Sequence, residues 1–249
     1  MLEGHISKAF DGALAALHLR VLAMGGLVLD QVREALKAYA QWDIATAEHV
    51  LERAAAVRAY NTGIYEDQFT LIARRQPVAS DLRAIIALAK SGAELERAGA
   101  KACKIARTVL QSERPTRTTA SDVRHLGDLA LQLLRAALEA LDRLDGTQAA
   151  ALIARDEDLD AEYAAGLRRL VSRALEDPRQ LERAVDTAFA LKSLERIGDH
   201  ARNIALQTQI IVSRAEPESQ LRAPDPPLPE HPPEAFGPGP ETGDSPAPR

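Results

Sequence analysis

The 249-residue sequence predicts an all-α protein: two tandem three-helix bundles of long antiparallel helices, followed by a disordered C-terminal tail. Three observations predict it. Apolar residues in the first 215 positions recur in steps of three and four rather than alternating, which is helical periodicity. Breakers are rare and well separated there: 11 of the 14 prolines lie after residue 215, leaving only Pro77, Pro115 and Pro178 to punctuate the body. The nine aromatic residues are too few for a β-sandwich core.

The first helix is carried by Ile6, Phe10, Leu14, Leu17, Val21, Met24, Val28, Val32, Leu36 and Tyr39, one stripe near the heptad period of a bundle. Gly25-Gly26 interrupts its propensity at a cost of about 1–2 kcal/mol, which points to a neighbouring helix approaching closely. Trp42 at the first turn reads as a packing anchor, and Asp43 as the N-cap of a second helix running to about Arg75. Pro77 pushes Gln76 out of the α region and ends it. A third helix starts between Pro77 and Asp81 and reaches about Ser112. After Glu113-Arg114-Pro115-Thr116, caps at Thr119 to Ser121 open a fourth helix to Leu144; Asp145-Gly146 makes the turn. A fifth runs from about Thr147 to Glu176, and Asp177-Pro178 opens a sixth to about Arg214. The expected units are residues 1–114, 115–215 and a Pro-rich acidic tail at 216–249.

Charge follows the same division. Seven of the 36 acids and two of the 31 Lys/Arg lie in 216–249, so the tail carries the whole formal charge of −5 and the body holds 29 of each sign. A neutral body without a basic stripe disfavours nucleic acid as a ligand. Apolar runs such as Ala84–Ala89 stop at six residues, so no membrane insertion is expected, and with no basic segment followed by an apolar one at residues 1–5 no secretory signal is expected either. The single Cys103 excludes an intrachain disulfide and is expected in the core rather than as a nucleophile. No phosphate loop, HExxH, calcium loop or GxSxG is present, and the chain is expected not to be an enzyme.

The body contains an internal repeat. Residues 93–106 (AELERAGAKACKIA) align with 192–205 (KSLERIGDHARNIA) at an offset of 99, with seven of 14 positions identical, including Leu-Glu-Arg-x-Gly. Both blocks fall in the third helix of their unit. Within the second block Glu195 and Asp199 stand four apart, as do Asp156 and Asp160 one helix earlier, so each pair projects from one face. If the two helices are antiparallel neighbours, these carboxylates converge on a hard metal ion, with His200 and Asn203 near enough to assist. Spacing alone leaves a second reading open. Glu195 and Asp199 lie off the apolar stripe, on a flank, where Lys192, Arg196 and Arg202 neutralise them as surface pairs. A carboxylate-bridged metalloenzyme remains the alternative function, and it requires Glu-x-x-His motifs on facing helices.

The turn Ile72–Arg83 is more polar than a hairpin needs. Arg74, Arg75, Gln76, Asp81 and Arg83 form either an intramolecular clasp or a partner-docking surface.

Together with Gly4-His-Ile-Ser-x-x-Phe10, Met24-Gly-Gly26 and the doubled Leu-Glu-Arg-x-Gly blocks, this turn resembles the PhoU family over residues 4 to about 213. The resemblance implies two PhoU repeats, commonly a homodimer, in the cytoplasm. It implies a negative regulator of phosphate uptake and of the phosphate-starvation regulon, an adaptor between the ATPase subunit of the phosphate ABC transporter and a sensor histidine kinase. Some members carry metal clusters on an acidic E/DxxxD motif in each unit. The second unit keeps that motif as Glu195-x-x-x-Asp199, with Asp156 and Asp160. The first keeps Glu96 but has Ala100 at the Asp position, and Ala54 and Arg58 opposite Asp156 and Asp160 at an offset of 102. At most one site, for Fe, Mn, Zn or Mg, is therefore expected, in the second unit.

Overall fold

The computed structural model describes residues 3–75, 77 and 79–213; the side chains of residues 3–9, Arg75 and Asp156 are outside that description, as is the predicted tail. Residues up to Ser213 form one compact body, helical throughout the described residues apart from short turns. Its elements are α1 (Glu3–Gln41), α2 (Ile44–Glu52), α3 (Ala54–Arg75), α4 (Ala79–Gln111), α5 (Arg117–Arg143), α6 (Gly146–Ala154), α7 (Asp156–Glu176), a 3₁₀ turn (Pro178–Gln180) and α8 (Leu181–Val212).

The second helix of each predicted unit is broken once. At Arg53 the break is slight: the residue stays in the α region, and its N–H reaches the His49 carbonyl while its own carbonyl accepts from Val57. At Arg155 the chain tightens to 3₁₀ geometry, with N–H donation to the Leu152 carbonyl at 3.1 Å. The α5 cap also lies earlier than expected. Thr116, extended after Pro115, accepts from the Thr119 N–H, so the helix begins at Arg117.

The first turn has Trp42 and the Asp43 cap where the sequence places them, and its twin repeats the construction 102 residues later. Trp42 and Leu144 each close a helix in the left-handed region, at φ 57° and 50°. The following Asp43 and Asp145 donate their N–H groups to Ala38 and Ala140, the carbonyls that the helix end leaves open. Each Asp then caps the next helix, Asp43 accepting from Thr46 and Asp145 from Thr147 and Gln148. Trp42 meets Tyr39 edge to face at 5.6 Å.

The long helices share one core. The α1 stripe Leu17, Val21, Met24, Val28 and Val32 is fully buried, and α1 packs on α3, α4 and α5. α8 packs on α4, α5, α6 and α7. The crossing of α1 and α5 is reciprocal: Gly25 admits the Leu138 side chain, and Gly127 admits Leu36. Each pair maps on the other by adding 102, so the two repeats face each other about a local two-fold.

One sequence expectation needs correction. The stretch Phe10–Gln41 is long and apolar enough, by length and composition, to cross a membrane. No single run is long, but Ala and Gly between the large residues keep the mean hydropathy high. Here its stripe is the centre of the helical core.

Candidate functional site

α7 and α8 pack side by side, which carries Asp160 to the Glu195–Asp199 face. One carboxylate oxygen from each of Asp160, Glu195 and Asp199 lies within 4.8 Å of the others. Asp156 opens α7 one turn earlier. The flank position expected for Glu195 is wrong: it is buried, at 9% exposure. α8 is enclosed by four helices, so its buried arc is wider than its apolar stripe. Asp199 is half-buried and Asp160 exposed.

Three carboxylates this close require positive charge. Lys192 Nζ donates to Glu195 Oε1 at 2.7 Å while lying over the Tyr163 ring, and Arg196 Nη1 donates to Asp199 at 3.0 Å. Glu195 Oε2 is buried with no hydrogen-bond partner. Its nearest cation is Arg196 Nε at 3.7 Å, and an all-oxygen set of Asp160, Glu195 and Asp199 with one buried acceptor free of hydrogen bonds fits a hard divalent cation.

His200 and Asn203 do not assist. They turn to α4 instead, where both donate to Glu94 Oε2, at 2.7 and 3.1 Å. Arg97 takes the other Glu94 oxygen at 2.7 Å. Burial raises the Glu94 carboxyl, but the His200 and Asn203 hydrogen bonds outweigh it and hold the pKa below the ordinary glutamate range. This clasp spans 106 residues in sequence and had no local signal beyond the charge of Glu94 in the repeat block.

The equivalent position in the first repeat is neutralised differently. Glu96 accepts from Asn61 Nδ2 of α3, and Ala54, Arg58 and Ala100 add no carboxylate. Among the described residues the only metal-like acid group is the one in the second repeat. The two repeat glycines explain themselves by packing: a Cβ on Gly99 would press on Gln31 Oε1, and one on Gly198 would overlap Leu159. Gln31 is fully buried, donating to the Val50 carbonyl at 2.9 Å and to Cys103 Sγ at 3.4 Å. Cys103 is core, and burial pushes its thiol pKa up.

The turn between α3 and α4 presents Arg74 to solvent, with Asp81 and Arg83 half-buried beside it. Among the described residues none of these three makes a side-chain hydrogen bond or ion pair. Gln76 and the Arg75 side chain lie outside the described residues.

Comparison with known proteins agrees with the two-repeat helical fold. The profile described as "PhoU domain" matches residues 21–109 and again 123–208. The chain is 42% identical over 206 residues to a "phosphate-specific transport system accessory protein PhoU homolog" of Pseudomonas putida, covering 82% of this chain and 80% of that one. It is 35% identical over 204 residues to the Escherichia coli K12 "phosphate-specific transport system accessory protein PhoU", covering 82% and 85%. Among solved structures it is similar to PhoU of Pseudomonas aeruginosa, with TM-score 0.78, 40% identity, and coverage of 82% of this chain and 98% of that one. It is also similar to the phosphate transport system regulatory protein PhoU of Streptococcus pneumoniae, with TM-score 0.74, 27% identity, and coverage of 80% and 94%.

Proposed function

The chain belongs to the PhoU family, and on that premise we propose that it is a non-enzymatic accessory protein that restrains phosphate uptake and the phosphate-starvation response. The observation that carries this reading is the family match in both repeats of one compact body, with relatives named as phosphate-transport accessory and regulatory proteins. It works at the cytoplasmic face, as an adaptor between the ATPase subunit of the phosphate ABC transporter and a phosphate-sensing histidine kinase. The turn between α3 and α4, with Arg74, Arg75, Gln76, Asp81 and Arg83, docks a partner. Support for this is that Arg74 and Arg83 have no internal anion among the described residues, although the turn needs no charge to reverse the chain. A second copy of the chain covers part of the apolar surface that α8 leaves open, where Leu181, Val185 and Phe189 are 57%, 47% and 67% exposed at one-turn spacing.

The acid group of the second repeat holds one divalent cation through Asp160, Glu195 and Asp199, with Asp156 placed one turn earlier on the same helix. The cation supplies positive charge that ties α7 to α8. An all-oxygen donor set favours Mg or Mn over Zn or Fe. Lys192 holds Glu195 Oε1, which leaves Oε2 as the oxygen for the cation. Elemental analysis of the purified full chain is expected to find a metal that the Glu195→Ala, Asp199→Ala variant lacks. Equal content in both proteins returns the group to a self-neutralised ion cluster.

The adaptor reading is tested by capture of partners on the full chain from phosphate-replete cells. The transporter ATPase and the sensor kinase are expected, with Arg75→Glu weakening at least one of them. Recovery of neither refutes the reading.

A further inference from the structure

Two grooves run along the α4–α8 contact, and the 99-residue repeat relates them. In the first, Glu94 and Arg97 of α4 face Asn203 and Gln207 of α8. Shifting each by 99 gives the lining of the second: Ser193 and Arg196 of α8 face Lys104 and Thr108 of α4, with Lys192 beside them. His200, which clasps Glu94 in the first groove, corresponds to Lys101 in the second.

The first groove supplies its own anion. The Glu94 carboxylate is 12% exposed and satisfied by His200, Asn203 and Arg97. The second groove has lost that carboxylate, since Ser193 stands there and its hydroxyl turns back to the Phe189 carbonyl at 2.8 Å. Two of the three donors that hold the carboxylate in the first groove, His200 and Asn203, have become Lys101 and Lys104, while Arg97 is kept as Arg196. Neither Lys101 nor Lys104 makes an ion pair among the described residues, and Lys192 and Arg196 are shared with only two acids, Glu195 and Asp199. Four cations thus stand beside the three carboxylates of the acid group, and Lys101 and Lys104 have no carboxylate of their own around a groove of about 230 Å³. Burial lowers the Lys101 pKa, and the charges of Lys104, Arg196 and Lys192 lower it further, with Glu195 opposing.

We propose that this groove is an anion site that takes a phosphate oxyanion at Lys101, Lys104 and Arg196, as free inorganic phosphate or as the phosphoryl group of a small phosphorylated molecule. Thr108 on the same wall offers a hydroxyl donor. A tetrahedral oxyanion accepts from several convergent donors at once, whereas a carboxylate of the Glu94 kind satisfies two or three. The site lies beside the acid group but uses the opposite charge. It stands on the groove's own charges and does not require the regulatory reading.

The test is calorimetric titration of the full chain with inorganic phosphate and, separately, with ATP, at constant ionic strength. A chelator is present so that no cation on the acid group recruits the anion. At least one of the two is expected to bind more tightly than acetate; phosphate alone identifies the free ion, and tighter ATP binding identifies a phosphorylated molecule. Lys101→Ala with Lys104→Ala is expected to weaken binding by roughly tenfold or more. Ser193→Glu, which restores the internal carboxylate of the first groove, is expected to weaken it similarly. Melting temperature is read for each variant, and Lys104→Glu serves at an exposed position if Ser193→Glu fails to fold. The proposal is overturned if neither phosphate nor ATP outcompetes acetate, or if folded lysine variants bind as the wild type does.

Discussion

Gly25 and Gly26 are adjacent in the interior of α1, and their replacement by alanine is expected to move stability in opposite directions. Both substitutions gain helix propensity of about 1 kcal/mol. Gly26 faces open space, with no heavy atom within 4 Å of where an alanine Cβ would sit, so Gly26→Ala keeps that gain. At Gly25 the new methyl overlaps Leu138 Cδ2 and comes within 2.9 Å of Cδ1 and 3.2 Å of Cγ. Leu138 is 7% exposed and packed between helices, so it yields only by shifting α5 or leaving its rotamer. Overpacking of this kind costs about 1–3 kcal/mol, giving a net loss of up to about 2 kcal/mol for Gly25→Ala. The two variants should differ by about 2 kcal/mol in urea unfolding, or about 4–8 °C in Tm for a body of this size. In Gly25→Ala combined with Leu138→Ala, the double loss should be smaller than the sum of the single losses. Gly25→Ala as stable as Gly26→Ala would show that α1 and α5 do not meet through this glycine.

Leu144→Gly should stabilise the protein by about 1 kcal/mol, because a left-handed cap position favours glycine and the leucine is 42% exposed; chemical denaturation measures it. The lowered Glu94 pKa means that the folded chain binds that proton less tightly than the unfolded chain. Its contribution is present above the ordinary value of 4.5 and lost as pH falls through the folded value, so Glu94→Gln should flatten the acid limb of a stability–pH profile. Burial raises Tyr39 from 10.0 to about 12, against the hydrogen bond to Thr187. Its contribution is present below pH 10 and lost as pH rises toward 12, and Tyr39→Phe should remove that alkaline loss in the same assay.

The helices are legible in the sequence because each announces itself locally. The stripe from Phe10 to Tyr39, the Asp43 cap, the Pro77 stop and the close approach at Gly25 all depend on residues within a turn or two of one another. What the sequence hides depends on neighbours from elsewhere in the chain. Glu195 lies off the apolar stripe of α8, yet it is buried because α4, α5, α6 and α7 enclose that helix. His200 and Asn203, close in sequence to the acid group, point across to Glu94 on α4. The convergence of Asp160 on Glu195 and Asp199 is readable from paired four-residue spacings once α7 and α8 are taken as neighbours. The cationic groove is not, since Lys101 and Lys192 are far apart in sequence and only the repeat offset relates their surroundings. The break at Arg155 carries neither proline nor glycine, so nothing in its composition marks it.

Restraint of the phosphate-starvation response by this chain is tested by deleting its gene and measuring phosphate-starvation transcripts in cells grown in rich phosphate. Derepression is expected, and reintroducing the wild-type chain should reverse it. Transcript levels that stay at the repressed baseline in the deletion strain would contradict that restraint.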